Sequence, residues 1–383
     1  MAQRSNRQRC DGGEVMHLAI IGCGQLARMM ALAGWRLGAT FSFLAEPDEN
    51  TSGVDRLGTV VKRTPELTGQ ALFDALGQPS SVTVEREHVD VELLKTLQPF
   101  CLVAPNPDAI LVSQHRGREK DFMAAHGIAT APYKVATGRA NLKDAVLHIG
   151  LPVIIKTCEQ GYDGKGQWLI RDSQALEETL SDIPDHVECV VEGFVNFSKE
   201  VSIISARSSS GECAYYPLTE NEHRQGILVS SIAPADVPSE STLQQADKIA
   251  NTILEKLDYV GILSIEFFVV GDQLVVNEIA PRVHNSGHWT QSAGIASQFE
   301  NHIRAISGLP LGETKPKTQA AMLNLLGKEV DETLLNQGNL EIHLYNKSLR
   351  PGRKVGHVNL WHIDRAPLVK QLKELHQQVY GDD

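Results

Sequence analysis

No apolar run in the 383 residues approaches the ~20 needed to cross a bilayer as a helix, so no membrane-spanning helix is expected. No two of the six cysteines (Cys10, Cys23, Cys101, Cys158, Cys189 and Cys213) stand at a C-x-x-C spacing, so neither a zinc site nor a redox pair is indicated. Scattered cysteines fit a reducing compartment, where most act as small core residues. Positive charge is in short supply. Lys and Arg number 36 against 47 Asp and Glu, a formal net charge of -11, so the surface as a whole should repel nucleic acid and anionic lipid. An anionic substrate would then need local basic clusters. There is no internal repeat and no low-complexity tract. Residues 1–15 (MAQRSNRQRCDGGEV) are polar and basic and lack the apolar stretch of a signal peptide. They are expected to be a disordered extension or a misplaced start.

Apolar residues make up 42% of the chain, enough to bury cores, and the length suggests two or three domains. His17–Ile21 is an apolar run ending at Gly22, residues 25–37 carry apolar positions at helical spacing, and Thr40–Leu44 is strand-like again. This opening calls for a parallel sheet with helical crossovers. Val82–Val84 and Leu102–Ala104 continue it, with helical stretches near 66–77 and 90–97, so an α/β domain is expected over 16–112. Beyond Pro105-Asn106-Pro107 comes a charged helix, 116–126. Strand-like segments follow at 153–156, 167–170, 189–191, 201–206 and 227–232, with helices near 141–149, 173–181 and 239–257. Strands outnumber helices, which reads as α+β around antiparallel sheet. Short strands at 318–326, 341–346 and 356–361 close the chain.

Five motifs could carry chemistry. Gly22-Cys23-Gly24-Gln25-Leu26-Ala27 fits the G-x-G-x-x-A dinucleotide fingerprint, with Glu46 near the distance of a ribose contact. Such a turn can approach any anion, and it can also be a tight strand-to-helix turn with no ligand. Lys156 ends an apolar strand, from which an amine can reach phosphate in a dry site. The glycine-rich stretch 161–167 can fold its N–H groups over phosphates, or be a plain exposed turn.

Ile262–Val269 and Gln273–Ile279 flank the turn signal Gly271-Asp272 and read as a hairpin. If three residues close the loop, Glu266 and Glu278 fall on one face, nearly opposite. Like charges placed so are destabilising unless a cation lies between them, and magnesium takes such carboxylates together with phosphates. The alternative is two solvated carboxylates, which the apolar flanks Ile265, Phe267, Phe268, Val275 and Val276 disfavour. Residues 281–289 (PRVHNSGHW) pack cation, imidazole, amide and hydroxyl closely enough to bind a small planar oxyanion, with Arg282 bidentate. Residues 347–354 (KSLRPGRK) place four cations in eight residues, as a solvated turn or as a phosphate pocket.

Together, GCGQLARM (22–29), GYDGKGQ (161–167), VNEIAPRVHNSGHW (276–289) and RPGRKVGHVN (350–359) resemble the ATP-grasp superfamily. Within it they resemble the N5-carboxyaminoimidazole ribonucleotide synthetases, over nearly the whole chain from Met16. The resemblance implies an ATP-grasp fold in three parts. A Rossmann-like α/β preATP-grasp domain would fill 16–112, an ATP-grasp domain clamping ATP between two sheets 113–312, and a small β-rich C-terminal domain 313–383. It implies ATP-dependent carboxylation of 5-aminoimidazole ribonucleotide by bicarbonate, through carboxyphosphate, in purine biosynthesis. ATP and Mg2+ would be the cofactors, and the enzyme a cytoplasmic homodimer.

By position, the resemblance puts nucleotide contacts on Arg116, Lys156, Gly161, Tyr162, Asp163, Gly164, Lys165, Gly166 and Gln167. It continues them on Glu192, Gly193, Phe194, Val195, Glu200, His223, Asn277 and Glu278. Glu266 and Glu278 would hold magnesium. Arg282, His284, Asn285, Ser286 and Gly287 would form the bicarbonate site, with Arg282, His284, Asn285 and Lys156 catalytic. The ribotide would meet Tyr162, Asp163, Lys347, Arg350, Arg353, Lys354 and, from the first domain, Glu85 and Glu87.

The chain departs from the family pattern at Ala27, where Gly is common, and at His115, where Asp is expected before Arg116. It departs again at Ala280, where many ATP-grasp enzymes have Asn, leaving magnesium to two glutamates, phosphate oxygens and water. A formate-using transformylase of the same pathway would share the clamp and the metal carboxylates. A nicotinamide dehydrogenase rests on 22–27 alone, and a non-catalytic nucleotide-binding module would need no second anion site. HNSGHW with RPGRK favours carboxylation.

Overall fold

Three sheets organise the chain in the computed structural model, which describes residues 16–159, 166–330, 334 and 336–381. The first sheet contains β1 (His17–Ile21), β2 (Thr40–Ala45), β3 (Thr59–Lys62), β4 (Ser81–Val84) and β5 (Leu102–Val103), in the order β3-β2-β1-β4-β5 and parallel throughout. The helices α1 (Gln25–Trp35), α2 (Gly69–Ala75) and α3 (Val91–Leu97) serve its crossovers. Every residue of β4 is buried, as expected for a parallel strand covered on both faces. Helix α4 (Pro107–Ser113) occupies what reads in the sequence as a Pro-rich break. Asn106 caps it, accepting from the Ala109 N–H, and Pro107 takes the first helical position. Both are helix-start signals.

The second sheet is four-stranded and antiparallel. It draws on β6 (Tyr133–Thr137), β7 (Val153–Thr157), β8 (Gln167–Ile170) and β9 (Glu188–Gly193), in the order β6-β9-β7-β8. Helix α5 (Arg116–Ala125) leads into it, and α6 (Arg139–Ile149) and α7 (Ser173–Asp182) bury Leu142, Val146, Leu176 and Leu180 against Val153, Ile155 and Ile170. Gly161, Tyr162, Asp163, Gly164 and Lys165, between β7 and β8, lie outside the described residues, as do residues 1–15.

The third sheet uses β10 (Lys199–Arg207), β11 (Cys213–Tyr215), β12 (Thr219–Arg224), β13 (Ile227–Ala233), β14 (Gly261–Val270), β15 (Gln273–Ala280), β16 (Gln319–Leu326), β17 (Leu340–Leu344) and β18 (Lys354–His362). Its order is β15-β14-β10-β12-β13-β16-β18-β17, with β11 beside β10. The closing strands continue this sheet, Ser230 of β13 lying opposite Leu323 of β16. Helix α8 (Glu240–Lys256) lies against β10 and β15, its Ile253 and Leu254 in one core with Val201 and Val276, and α10 (Arg365–Tyr380) covers β16 and β18. Helix α9 (Gln298–Ile306) sits between the first and third sheets, with Phe299 and Ile303 in one core with Ala27 and Met30 of α1. Its His302 ties the two sheets together, its Nε2 2.8 Å from the Thr83 hydroxyl and its Nδ1 accepting from the Ile262 N–H at 3.0 Å.

Candidate active site

A cleft of about 600 Å3 lies where the three sheets meet. The first sheet and its flanks supply Gln25, Glu85 and Glu87, and the second supplies Lys156 and Gln167. From the third sheet and the segment after it come Glu200, His223, Glu266, Asn277, Glu278, Arg282, His284, Asn285 and Lys354, with Arg116 from the start of α5.

Glu266 and Glu278 face each other across the β14–β15 hairpin, by a route the sequence did not show. Two residues, Gly271 and Asp272, close the loop instead of three. In that frame Phe267 pairs with Val276, and Asn277 would fall opposite Glu266. A bulge at Asn277 shifts the pairing by one residue and brings Glu278 across. Burial, and then the Glu278 charge, push the Glu266 carboxyl above the usual range. Burial acts on Glu278 too, but Arg116, with Nη1 2.7 Å from its Oε2, holds it below that range. Two oxygen donors, one of them raised by the other, suit a hard divalent cation.

Lys156 is the last residue but one of β7 and is buried, its Nζ 2.9 Å from Glu192 Oε2 and 3.3 Å from Asn277 Oδ1. The other Glu192 oxygen meets Lys120 of α5 at 3.1 Å. Burial opposes ionisation of Glu192, but Lys156 and Lys120 bring it down to about 2. The Glu192 side chain is therefore a holder of lysines and does not line the cleft. Gly193, Phe194 and Val195, which follow it, do not line it either. Lys120 escaped the sequence reading, although it stands one helical turn after Arg116 on the same face of α5. Glu200 and His223 sit on adjacent strands, with Nδ1 2.7 Å from Oε2. Burial would lower His223, but the Glu200 bond carries it above its ordinary value.

In the loop after β15, Arg282 and Glu87 are bound to each other, so the expected bicarbonate cation and an expected ribotide contact form one ion pair. His284 is kept neutral, because burial and the Arg282 charge push it down to about 3. Its tautomer is fixed from behind. The Ser231 hydroxyl donates to Asn221 Oδ1, Asn221 Nδ2 to the Ser202 hydroxyl, and Ser202 to that of Ser286, which is left to donate to His284 Nδ1. The Ser286 side chain, expected at the anion, is fully buried behind the imidazole instead. Gly287 leaves room for Gln298, whose Oε1 would lie 2.6 Å from a Cβ there. Both amide atoms of Asn285 are shielded from solvent and, among the described residues, lack a hydrogen-bond partner.

The G-x-G-x-x-A turn holds an internal anion. Glu85 Oε1 accepts from the Gly24 N–H at 2.7 Å and its Oε2 from the Ala27 N–H at 3.1 Å. A Cβ on Gly22 would fall 2.4 Å from the Glu85 side chain. Glu46, the expected ribose contact, pairs with Arg63. In the basic turn Lys347 bonds to Gln25 Oε1, a cleft residue the sequence reading missed. Arg353 donates to the carbonyl and hydroxyl of Ser348, and Arg350 is exposed. Neither lines the cleft, whereas Lys354 does. His115 does the capping work of an Asp, with Nδ1 accepting from the Arg118 N–H and Nε2 2.7 Å from Glu188. With Cys158 these two form a group compact enough for a metal ion. The Nδ1 contact is the reverse of the usual one, since a ligating imidazole donates from its second nitrogen.

Three family profiles match the chain. The ribonucleotide synthetase preATP-grasp domain matches 15–114, the ATP-grasp domain 121–299, and the phosphoribosylaminoimidazole carboxylase C-terminal domain 320–371. The N5-carboxyaminoimidazole ribonucleotide synthase of Pseudomonas aeruginosa is 39% identical over 94% of this chain and 98% of its own. The chain belongs to the N5-carboxyaminoimidazole ribonucleotide synthetase family. It is thus an ATP-grasp ligase, with the fold the motifs implied. The synthetase of Thermus thermophilus superposes with a TM-score of 0.87 at 40% identity, covering 95% of this chain and 98% of that one. The Aspergillus clavatus enzyme, in complex with ADP and 5-aminoimidazole ribonucleotide, gives 0.83 at 25% identity, covering 94% and 97%.

Proposed function

We propose that the chain joins bicarbonate to the amine of 5-aminoimidazole ribonucleotide at the expense of ATP, giving N5-carboxyaminoimidazole ribonucleotide, ADP and phosphate. The observation that carries the bicarbonate site is the Asn285 amide, unpartnered among the described residues and close in sequence to Arg282 and the neutral His284. A small planar oxyanion satisfies such a group, and a nucleotide already has Lys156 and Arg116.

In this reading a bicarbonate oxygen attacks the γ-phosphorus, the bond to the β-phosphate oxygen breaks, and ADP leaves. The ribotide amine then attacks the carboxyphosphate carbon, or CO2 released from it. Phosphate departs and the amine loses a proton. Arg282, His284 and Asn285 hold the bicarbonate, and Lys156 the phosphate. Glu266 and Glu278 would hold magnesium, whose charge offsets repulsion between the two anions. Lys347, Arg350, Arg353 and Lys354 take the ribotide 5′-phosphate.

The divisions at 112/113 and 312/313, a homodimeric state and a cytoplasmic setting belong to the same proposal. The free thiols of the five described cysteines suit a reducing compartment. The test is ADP release by purified protein. Release with bicarbonate plus aminoimidazole ribotide supports the reading, and release only with formate plus glycinamide ribotide overturns it.

A further inference from the structure

Gln298 opens α9, is fully buried, and directs its whole side chain at the loop of the cleft. Its Oε1 accepts from the His284 N–H at 2.9 Å, and its Nε2 donates to the His284 carbonyl at 2.6 Å. These two main-chain bonds admit one orientation of the amide. The second Nε2 hydrogen then faces the Nδ1 of His288, 3.1 Å away. That Nδ1 must accept, so the His288 proton sits on Nε2.

His288 is almost wholly buried, yet it lines the cleft. Among the described residues its Nε2–H has no hydrogen-bond partner, and that atom is not sealed off with the shielded unpartnered ones, so it is free to donate to whatever occupies the cleft. Burial also holds the imidazole well below its ordinary pKa, so it stays a neutral donor. The Gln298 main chain completes the grip, its N–H bonding to the Thr290 hydroxyl, which donates to the Gly287 carbonyl.

We propose that His288 is a further binding residue of the site, donating from Nε2 to the carboxyl group that enters as bicarbonate, and that Gln298 is the positioning residue that fixes its tautomer. The carboxyl identity rests on the carboxylation reading above, whereas the tautomer does not. A neutral donor contributes a modest share of affinity, so the effect belongs in the bicarbonate dependence.

Two measurements test this. Long-range 1H–15N correlation on 15N-histidine-labelled protein reports which ring nitrogen carries the proton. The Nε2–H form is expected for His288, and its loss in Gln298→Met. An Nδ1–H form in the unaltered protein overturns the positioning role. Initial rates of ADP release against bicarbonate, at saturating ATP and ribotide, test the contact. His288→Phe keeps the ring and removes the donor, and should raise the bicarbonate KM about threefold to tenfold with the ATP KM unchanged. Gln298→Met should do the same. If Gln298→Met does not fold, Gln298→Glu serves, because it keeps the acceptor for the His284 N–H and loses both donors. An unaltered protein that saturates with bicarbonate beside a His288→Phe variant of equal KM overturns the contact alone. An unaltered protein indifferent to bicarbonate overturns the carboxylation reading, and the contact with it.

Discussion

Arg282 and Glu87 bind each other across the boundary between the first and third sheets, with Nε 2.5 Å from Oε2 and Nη2 3.3 Å from Oε1. Burial works against the Glu87 charge, yet Arg282 draws its pKa down to about 2. A lowered carboxyl pKa stabilises the fold above the unfolded value of about 4.5, and that stability fades as pH falls toward 2. Arg282→Met leaves Glu87 shielded and unpaired, and should cost about 3 kcal/mol near neutral pH, measured by urea unfolding. The deficit should shrink toward pH 4, where Glu87 can take a proton. Arg282→Met combined with Glu87→Leu should recover most of it. A deficit that does not change with pH would show that the pair is not its cause.

The Glu266–Glu278 pair predicts opposite signs for two similar substitutions. Glu266→Gln removes a like charge and should stabilise the magnesium-free protein, by up to about 1 kcal/mol. Glu278→Gln removes the carboxylate charge that Arg116 Nη1 meets at 2.7 Å and should destabilise it. Both should abolish ATP turnover while leaving the circular dichroism spectrum intact. Thermal unfolding in chelator, paired with an ADP-release assay, checks all three statements.

Glu192 keeps two buried lysines apart. Glu192→Gln should lower stability by about 3 kcal/mol or more, because both ammonium groups lose their counter-charge. In the proposed reading a nucleotide phosphate would supply Lys156 with a replacement. Saturating ADP should therefore raise the melting temperature of the variant more than that of the unaltered protein. Equal shifts would count against Lys156 facing the nucleotide.

For the basic turn, Arg353→Ala should weaken ribotide binding about tenfold to a hundredfold, since a charge-assisted contact contributes about 1.5–3 kcal/mol. Magnesium-ATP affinity should hardly change. Lys347→Ala should behave likewise, with Gln25 losing its partner as well. Calorimetric titration of each ligand checks this, and a loss of ATP affinity with intact ribotide affinity would reassign the cluster.

The sequence made the strands and helices legible wherever they are bounded by short-range signals, as at Gly22, Gly271-Asp272 and the apolar runs of β1 and β14. It also indicated that Glu266 and Glu278 share a face. It did not reveal the bulge at Asn277, because one residue of slippage depends on packing across the pair and leaves no local mark. The G-x-G-x-x-A turn was legible as an anion seat, but its occupant was not, since Glu85 arrives from 61 residues away. Lys120 and Gln298 escaped for the same reason. Each acts through a partner distant in the chain, and the one local hint, the place of Lys120 a helical turn after Arg116, does not name that partner.

The continuity of the large sheet reaches beyond catalysis. Strand β13 has β12 on one side and β16 on the other, and β16 arrives only after α9. A chain that stopped at the end of α9 would already hold every residue from Arg116 to Asn285, yet β13 would show a bare row of amide and carbonyl groups along its whole outer side. Such a margin recruits strands from other molecules. During synthesis the ATP-handling part of this protein therefore carries an unpaired strand margin until β16 has emerged. The C-terminal segment acts as a hem on the sheet as well as a wall of the cleft.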